Sequence, residues 1–129
     1  MRFEHFAINV ESPAEVAAWY VAHCGMSIAR SMAEAPFTHF LKDATGRVVW
    51  EIYRNDAAPV PDYRAQDPLV FHWALAVEDA QSERRRLETA GATLFQEVKP
   101  GDGSILYMMR DPFGLPLQLC QRAEPFADG

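Results

Sequence analysis

The sequence is poor in cysteine and in positive charge. Its 129 residues include two cysteines, Cys24 and Cys120, and no C-x-x-C pair, so it offers neither a disulfide framework nor a cysteine-based zinc site. Lys and Arg total 12 against 18 Asp and Glu, which gives a formal net charge of −6. This balance argues against nucleic acid or an anionic membrane as the main partner, because both attract clustered Lys and Arg.

Long hydrophobic runs are also missing. A bilayer-spanning helix needs about 18 or more consecutive apolar residues, and the sequence has no such run. Met1 is not followed by the charged and then apolar segment of a secretory leader. Together with the scarce cysteines, these features predict a cytoplasmic protein. The apolar fraction of 49% is that of a globular chain, long enough for one domain or for two half-domains sharing a core.

What the sequence does contain is an internal repeat. Residues 4–12 (EHFAINVES) and 71–79 (FHWALAVED) both carry a histidine, an aromatic residue, Ala and an aliphatic residue, then Val, Glu and a helix-capping residue. The two histidines, His5 and His72, are 72 − 5 = 67 positions apart. The turns at 43–46 (DATG) and 111–114 (DPFG) repeat at a shift of 68. Such self-similarity indicates a duplicated structural unit.

Each half predicts the order strand, helix, strand, strand, strand. Alternating polarity and turn residues predict the strands at 2–10, 26–31, 37–42 and 47–54, and then at 69–78, 92–99, 104–110 and 115–122. The first helix starts at Ser12 and Pro13, with Glu15 completing a capping box, and stops at Gly25. The second helix runs from a cap at Asp79 to Gly91. We therefore expect one domain over 1–129, with modules at 1–54 and 69–122, a linker at 55–68 and a tail at 123–129.

Two polar residues interrupt the apolar last strands of the two halves. Glu51 lies in the segment VVWEIY, and the same shift of 67 places Gln118 in the segment PLQLC. Each half therefore has a histidine on its first strand and a Glu or Gln on its last. Burying such groups without partners costs several kcal/mol, so we expect the four side chains to be partners of one another or of an ion.

Strand alternation places each histidine on a face with small side chains. Ala74 and Ala76 share a face with His72, and Ala7 and Asn9 share one with His5. The opposite faces carry large apolar residues that would pack against the helices. A sheet with this division predicts a hollow lined by small and polar groups.

Two imidazoles and one carboxylate suit a divalent transition metal that keeps open positions for water and substrate. The amide oxygen of Gln118 could add a weaker fourth ligand. The alternative is that His5 and His72 are satisfied core histidines, while Glu51 pairs with an arginine such as Arg54 or Arg30. Finding all four polar residues at one repeat shift favours the metal or active-site interpretation.

The paired modules and the segment DPFGLPLQL at 111–119 resemble the glyoxalase/bleomycin-resistance/dioxygenase family, the vicinal oxygen chelate (VOC) superfamily. The resemblance spans about residues 3–122. It implies an α+β fold in which two tandem βαβββ modules form an eight-stranded, incompletely closed barrel around one divalent metal ion (Zn, Ni, Mn or Fe(II)). Carried over by position, it implies His5, Glu51, His72 and Gln118 as metal ligands, with Glu51 also acting as the catalytic base.

The resemblance implies a metal-dependent, glyoxalase-like lyase or an isomerase (epimerase). Its small substrate would chelate the metal through vicinal oxygens, and the metal would stabilise an enolate or similar anion. Two alternatives are an extradiol-type ring-cleaving dioxygenase and a non-catalytic, drug-sequestering binding protein. Family members commonly carry Glu where this chain has Gln118, so Glu51 is the one carboxylate of the set.

Four further residues are predicted to bind substrate. Asn9 shares the face of His5, and Tyr53 shares that of Glu51, while His39 and Tyr107 lie on the third strands of their halves, where they would line the hollow or lie at the surface. We also expect a homodimer, because modules of this size can pair within one chain or be exchanged between two.

Overall fold

Two units with the same plan make up the chain. The structure is a computed structural model that describes residues 1–126. The division between the units follows Pro61, and the predicted linker at 55–68 contains it. Residues 127–129, at the end of the predicted tail 123–129, lie outside the described part.

The first unit is a four-stranded mixed sheet with one helix. Its elements are β1 (Phe6–Asn9), α1 (Pro13–His23), β2 (Ser27–Ser31), β3 (His39–Lys42) and β4 (Val48–Tyr53). The strand order is β1-β4-β3-β2, with β1 parallel to β4 and the other pairs antiparallel. From β1 the chain passes through α1 to β2, which lies at the far edge of the sheet. It then returns through β3 to β4, which pairs with β1.

The second unit repeats this topology. A 3-10 turn at Tyr63–Ala65 precedes β5 (Trp73–Ala76), α2 (Ala80–Thr89), β6 (Thr93–Val98), β7 (Ile105–Arg110) and β8 (Pro116–Gln121). The strand order is β5-β8-β7-β6, and β5 is parallel to β8. The predicted α+β class and the two βαβββ modules are therefore confirmed. No helix among residues 1–126 is long and apolar enough to cross a membrane.

The sheet register repeats at the shift found in the sequence. Ala7 lies beside Glu51 in the first sheet, and Ala74 lies beside Gln118 in the second. Both members of the pair move by 67 positions (74 − 7 and 118 − 51). Residues paired in this way point to the same face of a sheet. In each unit, the histidine position and the Glu or Gln position therefore share one face, as alternation predicts.

The opposite face of the first sheet forms a core with α1. Trp50 and Tyr20 meet edge to face with ring centroids 4.8 Å apart, and Phe6 stacks on Trp50 at 5.5 Å. Trp50 is 1% exposed, and Leu41 and Ile52 are fully buried. The face of Glu51 carries the small Ala7, and it also carries Phe40, which pairs with Glu51.

The second core uses the same faces of its sheet. Leu117 and Leu119 of β8 and Met109 of β7 are fully or almost fully buried, as is Leu87 of α2. Tyr107 also lies on this side, beside Leu119. Burying one large aliphatic side chain contributes roughly 1.5–3 kcal/mol, so the helix-facing rows hold each unit together.

The two helix starts differ more than the sequence predicts. Asp79 accepts a hydrogen bond from the backbone N–H of Ser82 at 3.0 Å, as a helix cap does. Ser12 makes no such side-chain bond, so the predicted capping box is wrong. Pro13 does occupy the first turn, and Gly25 has the predicted left-handed conformation with φ 66°.

The first strand of each unit is shorter than predicted. Expected at 2–10 and 69–78, these strands cover only Phe6–Asn9 and Trp73–Ala76. In the second unit a turn occupies the missing residues, because Asp67 accepts from the backbone N–H groups of Leu69 and Val70, both at 2.9 Å. His5 and His72 therefore each lie one residue before a strand.

Candidate functional site

His5 and Glu51 come together on the helix-free face of the first sheet. The Nε2 atom of His5 lies 3.4 Å from Oε2 of Glu51, and their side chains are 29% and 20% exposed. The other ring nitrogen, Nδ1, is 2.9 Å from a carboxylate oxygen of Glu4. Two metal ligands at about 2.0–2.2 Å from one ion lie roughly 3–3.5 Å apart, so this pair is spaced to share an ion.

The alternative partners of Glu51 are not used. Arg54 forms its ion pair with Glu11, at 2.9 Å. His5 is half-buried and His72 is exposed, so neither is a core histidine. The packing interpretation of the two histidines therefore does not describe their surroundings in this structure.

His72 is oriented by the backbone of its own unit. Its Nδ1 atom is 2.9 Å from the carbonyl oxygen of Pro68. Because a carbonyl oxygen only accepts, Nδ1 carries the proton, and Nε2 of the neutral ring is left with its lone pair. A ring N–H held by a backbone carbonyl is the usual second contact of a metal-bound histidine.

Gln118 pairs with Ala74. Because Ala74 lies two positions after His72, strand alternation places Gln118 on the face of His72. Its Oε1 atom accepts a hydrogen bond from the Sγ of Cys120 at 3.3 Å. A thiol is a weak donor, so the amide oxygen keeps capacity for a stronger partner. Burial raises the pKa of the Cys120 thiol, which keeps it in the protonated form that donates to the amide.

The donors present fit a divalent transition metal. Each unit supplies one imidazole nitrogen and one side-chain oxygen from a single face, and one of the two oxygens is a carboxylate. No group of three or more His, Cys, Asp and Glu side chains placed to hold a metal ion occurs among residues 1–126. The structure thus presents the predicted ligands as one pair in each unit.

Asn9 and Tyr53 lie where alternation predicts, paired beside each other in the first sheet. The amide of Asn9 donates to the carbonyls of Asn55 and Ala58, at 3.0 and 3.1 Å, and accepts from the backbone N–H of Asn55 at 2.8 Å. Asn9 therefore fastens the segment that follows β4. Tyr53 remains half-buried on the face of Glu51.

His39 and Tyr107 lie on the helix-packed faces. His39 pairs with Ile52, not with Glu51, and Tyr107 pairs with Leu119, not with Gln118. His39 is 8% exposed and its Nδ1 is 2.7 Å from the carbonyl oxygen of Phe37. Tyr107 is 4% exposed, and the guanidinium of Arg84 lies 5.0 Å from the centre of its ring. The structure brings neither to the metal-ligand face of its sheet.

A cavity of about 550 Å³ lies on the Gln118 face of the second unit. Its floor includes the small side chains of Ala74, Ala76 and Cys120, and Arg122 and Phe126 contribute to its wall. The small residues were predicted to leave a hollow, but no sequence signal places Phe126 there, because it lies in the predicted tail.

The comparisons with known proteins concern the family and the fold of the chain. The family model described as a Glyoxalase-like domain matches residues 5–120. The chain belongs to this family, within the VOC superfamily that its sequence resembles. A search of the curated proteins finds no match.

Solved structures share the fold at low sequence identity. A glyoxalase family protein from Bacillus cereus is 17% identical, with a TM-score of 0.74 and 93% of each chain covered. The antibiotic binding protein TnmS3 from a Streptomyces species is 15% identical, with a TM-score of 0.67, 92% of this chain and 93% of that one covered. A glyoxalase I variant from Zea mays is 23% identical, with a TM-score of 0.70, and 95% of this chain matches 46% of that chain. These likenesses establish a glyoxalase-like fold.

Proposed function

We propose that the chain is a divalent-metal-dependent lyase or isomerase that acts on a small substrate with vicinal oxygens. The proposed ligands are His5, Glu51, His72 and Gln118. The observation that carries the proposal is the 3.4 Å approach of His5 Nε2 to Glu51 Oε2. The orientation of His72 by the carbonyl of Pro68 supports it from the other unit.

These donors would hold a divalent ion, which would supply Lewis-acid polarisation of substrate oxygens and so make a neighbouring carbon-bound proton acidic. The chain must then provide a group that moves the proton. Glu51 is the one carboxylate of the set, so we assign it the base, with the carboxylate oxygen that does not hold the ion receiving the proton. Gln118 cannot take up a proton at neutral pH, so its amide serves to bind and orient.

Metal titration of chelator-treated protein tests the proposal. We expect one Zn²⁺ or Ni²⁺ per chain by isothermal titration calorimetry, and a loss of affinity of at least about tenfold in each of His5→Ala, Glu51→Ala and His72→Ala. His23→Ala, which removes a histidine near the end of α1, is the matched control and should bind metal as the wild type does. A protein that takes up no Zn²⁺, Ni²⁺, Mn²⁺ or Fe²⁺ would remove this proposal.

A non-catalytic binding protein is the second candidate function. The cavity of the second unit favours it, as does the likeness to a structure described as an antibiotic binding protein. Under this alternative, metal-stripped protein binds its ligand as tightly as metal-loaded protein, and His72→Ala leaves the affinity unchanged. The ring-cleaving alternative is tested separately by oxygen consumption with catechol and Fe²⁺-loaded protein.

Two further expectations belong to the proposal. We propose a homodimer, for which sedimentation equilibrium should give twice the chain mass of 14.5 kDa. We also propose a cytoplasmic location, which is supported by the absence of a disulfide at Cys24 and Cys120 in the described structure. Fractionation of cells that express the tagged chain checks this location.

A further inference from the structure

The cavity of the second unit is lined by an arginine that forms no close ion pair within residues 1–126. Arg122 directly follows β8 and continues the alternation of Gln118 and Cys120. Within residues 1–126, the arginine ion pairs closer than 4.0 Å belong to Arg54, Arg84 and Arg86. Asp102 interacts electrostatically with Arg122, but its Oδ1 already accepts from the backbone N–H of Ser104 at 2.8 Å, so the guanidinium keeps N–H groups for the carboxylate of a ligand.

The plane of this guanidinium is held by an aromatic ring. The Cζ atom of Arg122 lies 5.0 Å from the ring centre of Phe126. Stacking engages the face of the guanidinium and leaves its N–H edges available. Those edges match a carboxylate, which can accept two parallel hydrogen bonds from one arginine.

The rest of the cavity wall is mainly apolar. Ala74 and Ala76 of β5, Val77 and Pro125 line it together with Phe126. A volume of about 550 Å³ is in the range of small-molecule sites. The exposed carboxylate of Glu78 also lies at this cavity, so the cavity is not simply a cationic surface.

We propose that this cavity binds an organic acid through Arg122, with the carboxylate on the guanidinium and an apolar body against Ala74, Ala76 and Phe126. The inference rests on the proposed function in one respect: it takes the organic acid to be the substrate of the proposed enzyme, bound on the face that carries Gln118. Four residues of strand, about 13 Å, separate Gln118 from Arg122. The substrate therefore carries its carboxylate away from the oxygens that would bind a metal.

Binding to metal-stripped protein tests the inference without involving the metal. The probes are 4-phenylbutyrate and its uncharged amide, titrated by calorimetry in the presence of a chelator. We expect the acid to bind at least about tenfold more tightly than the amide, because a charge-assisted bidentate contact is lost in the amide. Equal affinities for acid and amide would overturn the inference.

Variants separate the two parts of the proposed contact. Arg122→Gln should abolish the preference for the acid, and Arg122→Lys should retain part of it. Phe126→Ala should weaken acid and amide alike, because it removes contact with the apolar body. Glu78→Gln is the matched control of opposite charge, and it should leave acid binding unchanged or up to a few times tighter. Acid binding that survives Arg122→Gln, with the thermal unfolding of the variant unchanged, would refute the assignment.

The two proposals fail in different ways. A chain that binds the acid through Arg122 but takes up no metal contradicts the proposed enzyme and supports the acid site. A chain that binds metal at His5 and His72 but does not distinguish acid from amide contradicts the acid site and leaves the enzyme proposal standing.

Discussion

At the scale of single residues, Asp111 controls the turn that leads into β8. It is 1% exposed, and its Oδ1 atom accepts from the backbone N–H groups of Phe113 and Leu115, both at 2.9 Å. Asp111→Ala leaves these donors without that acceptor. We expect the free energy of unfolding to fall by about 2–6 kcal/mol, at roughly 1–3 kcal/mol for each of the two unsatisfied groups, measured by urea denaturation.

The repeat supplies a control for this prediction. Asp43 holds the corresponding turn of the first unit and accepts from the backbone N–H of Thr45 at 2.9 Å, in a hydrogen bond that is exposed. Water can replace its carboxylate, so Asp43→Ala should cost less than about 1 kcal/mol. Equal losses in the two variants would show that burial does not set the cost.

Gly114 and Gly46 form a second matched pair in the same turns. Both have positive φ, 86° and 84°, so alanine is strained at either position by about 1–2 kcal/mol. A Cβ at Gly114 would lie 2.3 Å from Cγ of Arg64, whereas nothing lies within 4 Å at Gly46. We expect Gly114→Ala to lower the melting temperature clearly more than Gly46→Ala. The opposite order would contradict the packing of Arg64.

The faces of the four proposed ligands could be predicted from the sequence, because alternation and a repeat shift are local properties. The acid site could not be predicted in full. Arg122 shares the face of Gln118 by simple alternation, but the position of Phe126 depends on how the chain after β8 folds back. The bond from Ala123 N–H to the hydroxyl of Ser104, at 3.0 Å, is a contact between residues 19 positions apart.

At the scale of elements, the two helix starts differ in stability. Asp79 caps α2 through its side chain and Ser12 does not cap α1. Asp79→Ala should therefore cost about 1 kcal/mol of unfolding free energy, the usual value of a helix cap, whereas Ser12→Ala should cost a few tenths at most. Chemical denaturation of the two variants checks this. A larger loss for Ser12→Ala would contradict the geometry of both caps.

The order and type of the helices and strands follow from the sequence, but not every strand face does. In the first sheet the register shifts between Leu41 and Lys42, and in the second it shifts between Leu94 and Gln96. Such register shifts cannot be recognised from the alternation of polar and apolar residues in the sequence. They explain why only the structure shows that His39 lies beside Ile52.

At the scale of the whole molecule, the duplication repeats the register of the first and last strands of each unit but not the chemistry of their side chains. The shift of 67 relates Ala7 and Glu51 to Ala74 and Gln118, yet one half carries a carboxylate and the other an amide. Since an ionised carboxylate binds a cation more strongly than an amide does, we expect Gln118→Glu to tighten Zn²⁺ binding and Glu51→Gln to weaken it.

Exchanging the two side chains tests the equivalence of the halves. If the two positions serve the same ion, the double variant Glu51→Gln/Gln118→Glu should recover most of the Zn²⁺ affinity lost in Glu51→Gln. Calorimetry on the three proteins gives the comparison. A double variant that binds Zn²⁺ no better than Glu51→Gln would show that the halves are not interchangeable in metal binding.

We propose that each half contributes one histidine to a single ion. X-ray absorption spectroscopy of the Zn²⁺-loaded protein counts the imidazoles around the metal directly. We expect one ion per chain with two imidazole ligands in the wild type, and one imidazole in either His5→Ala or His72→Ala. A wild-type spectrum with a single imidazole, or one that does not change in His72→Ala, would contradict it.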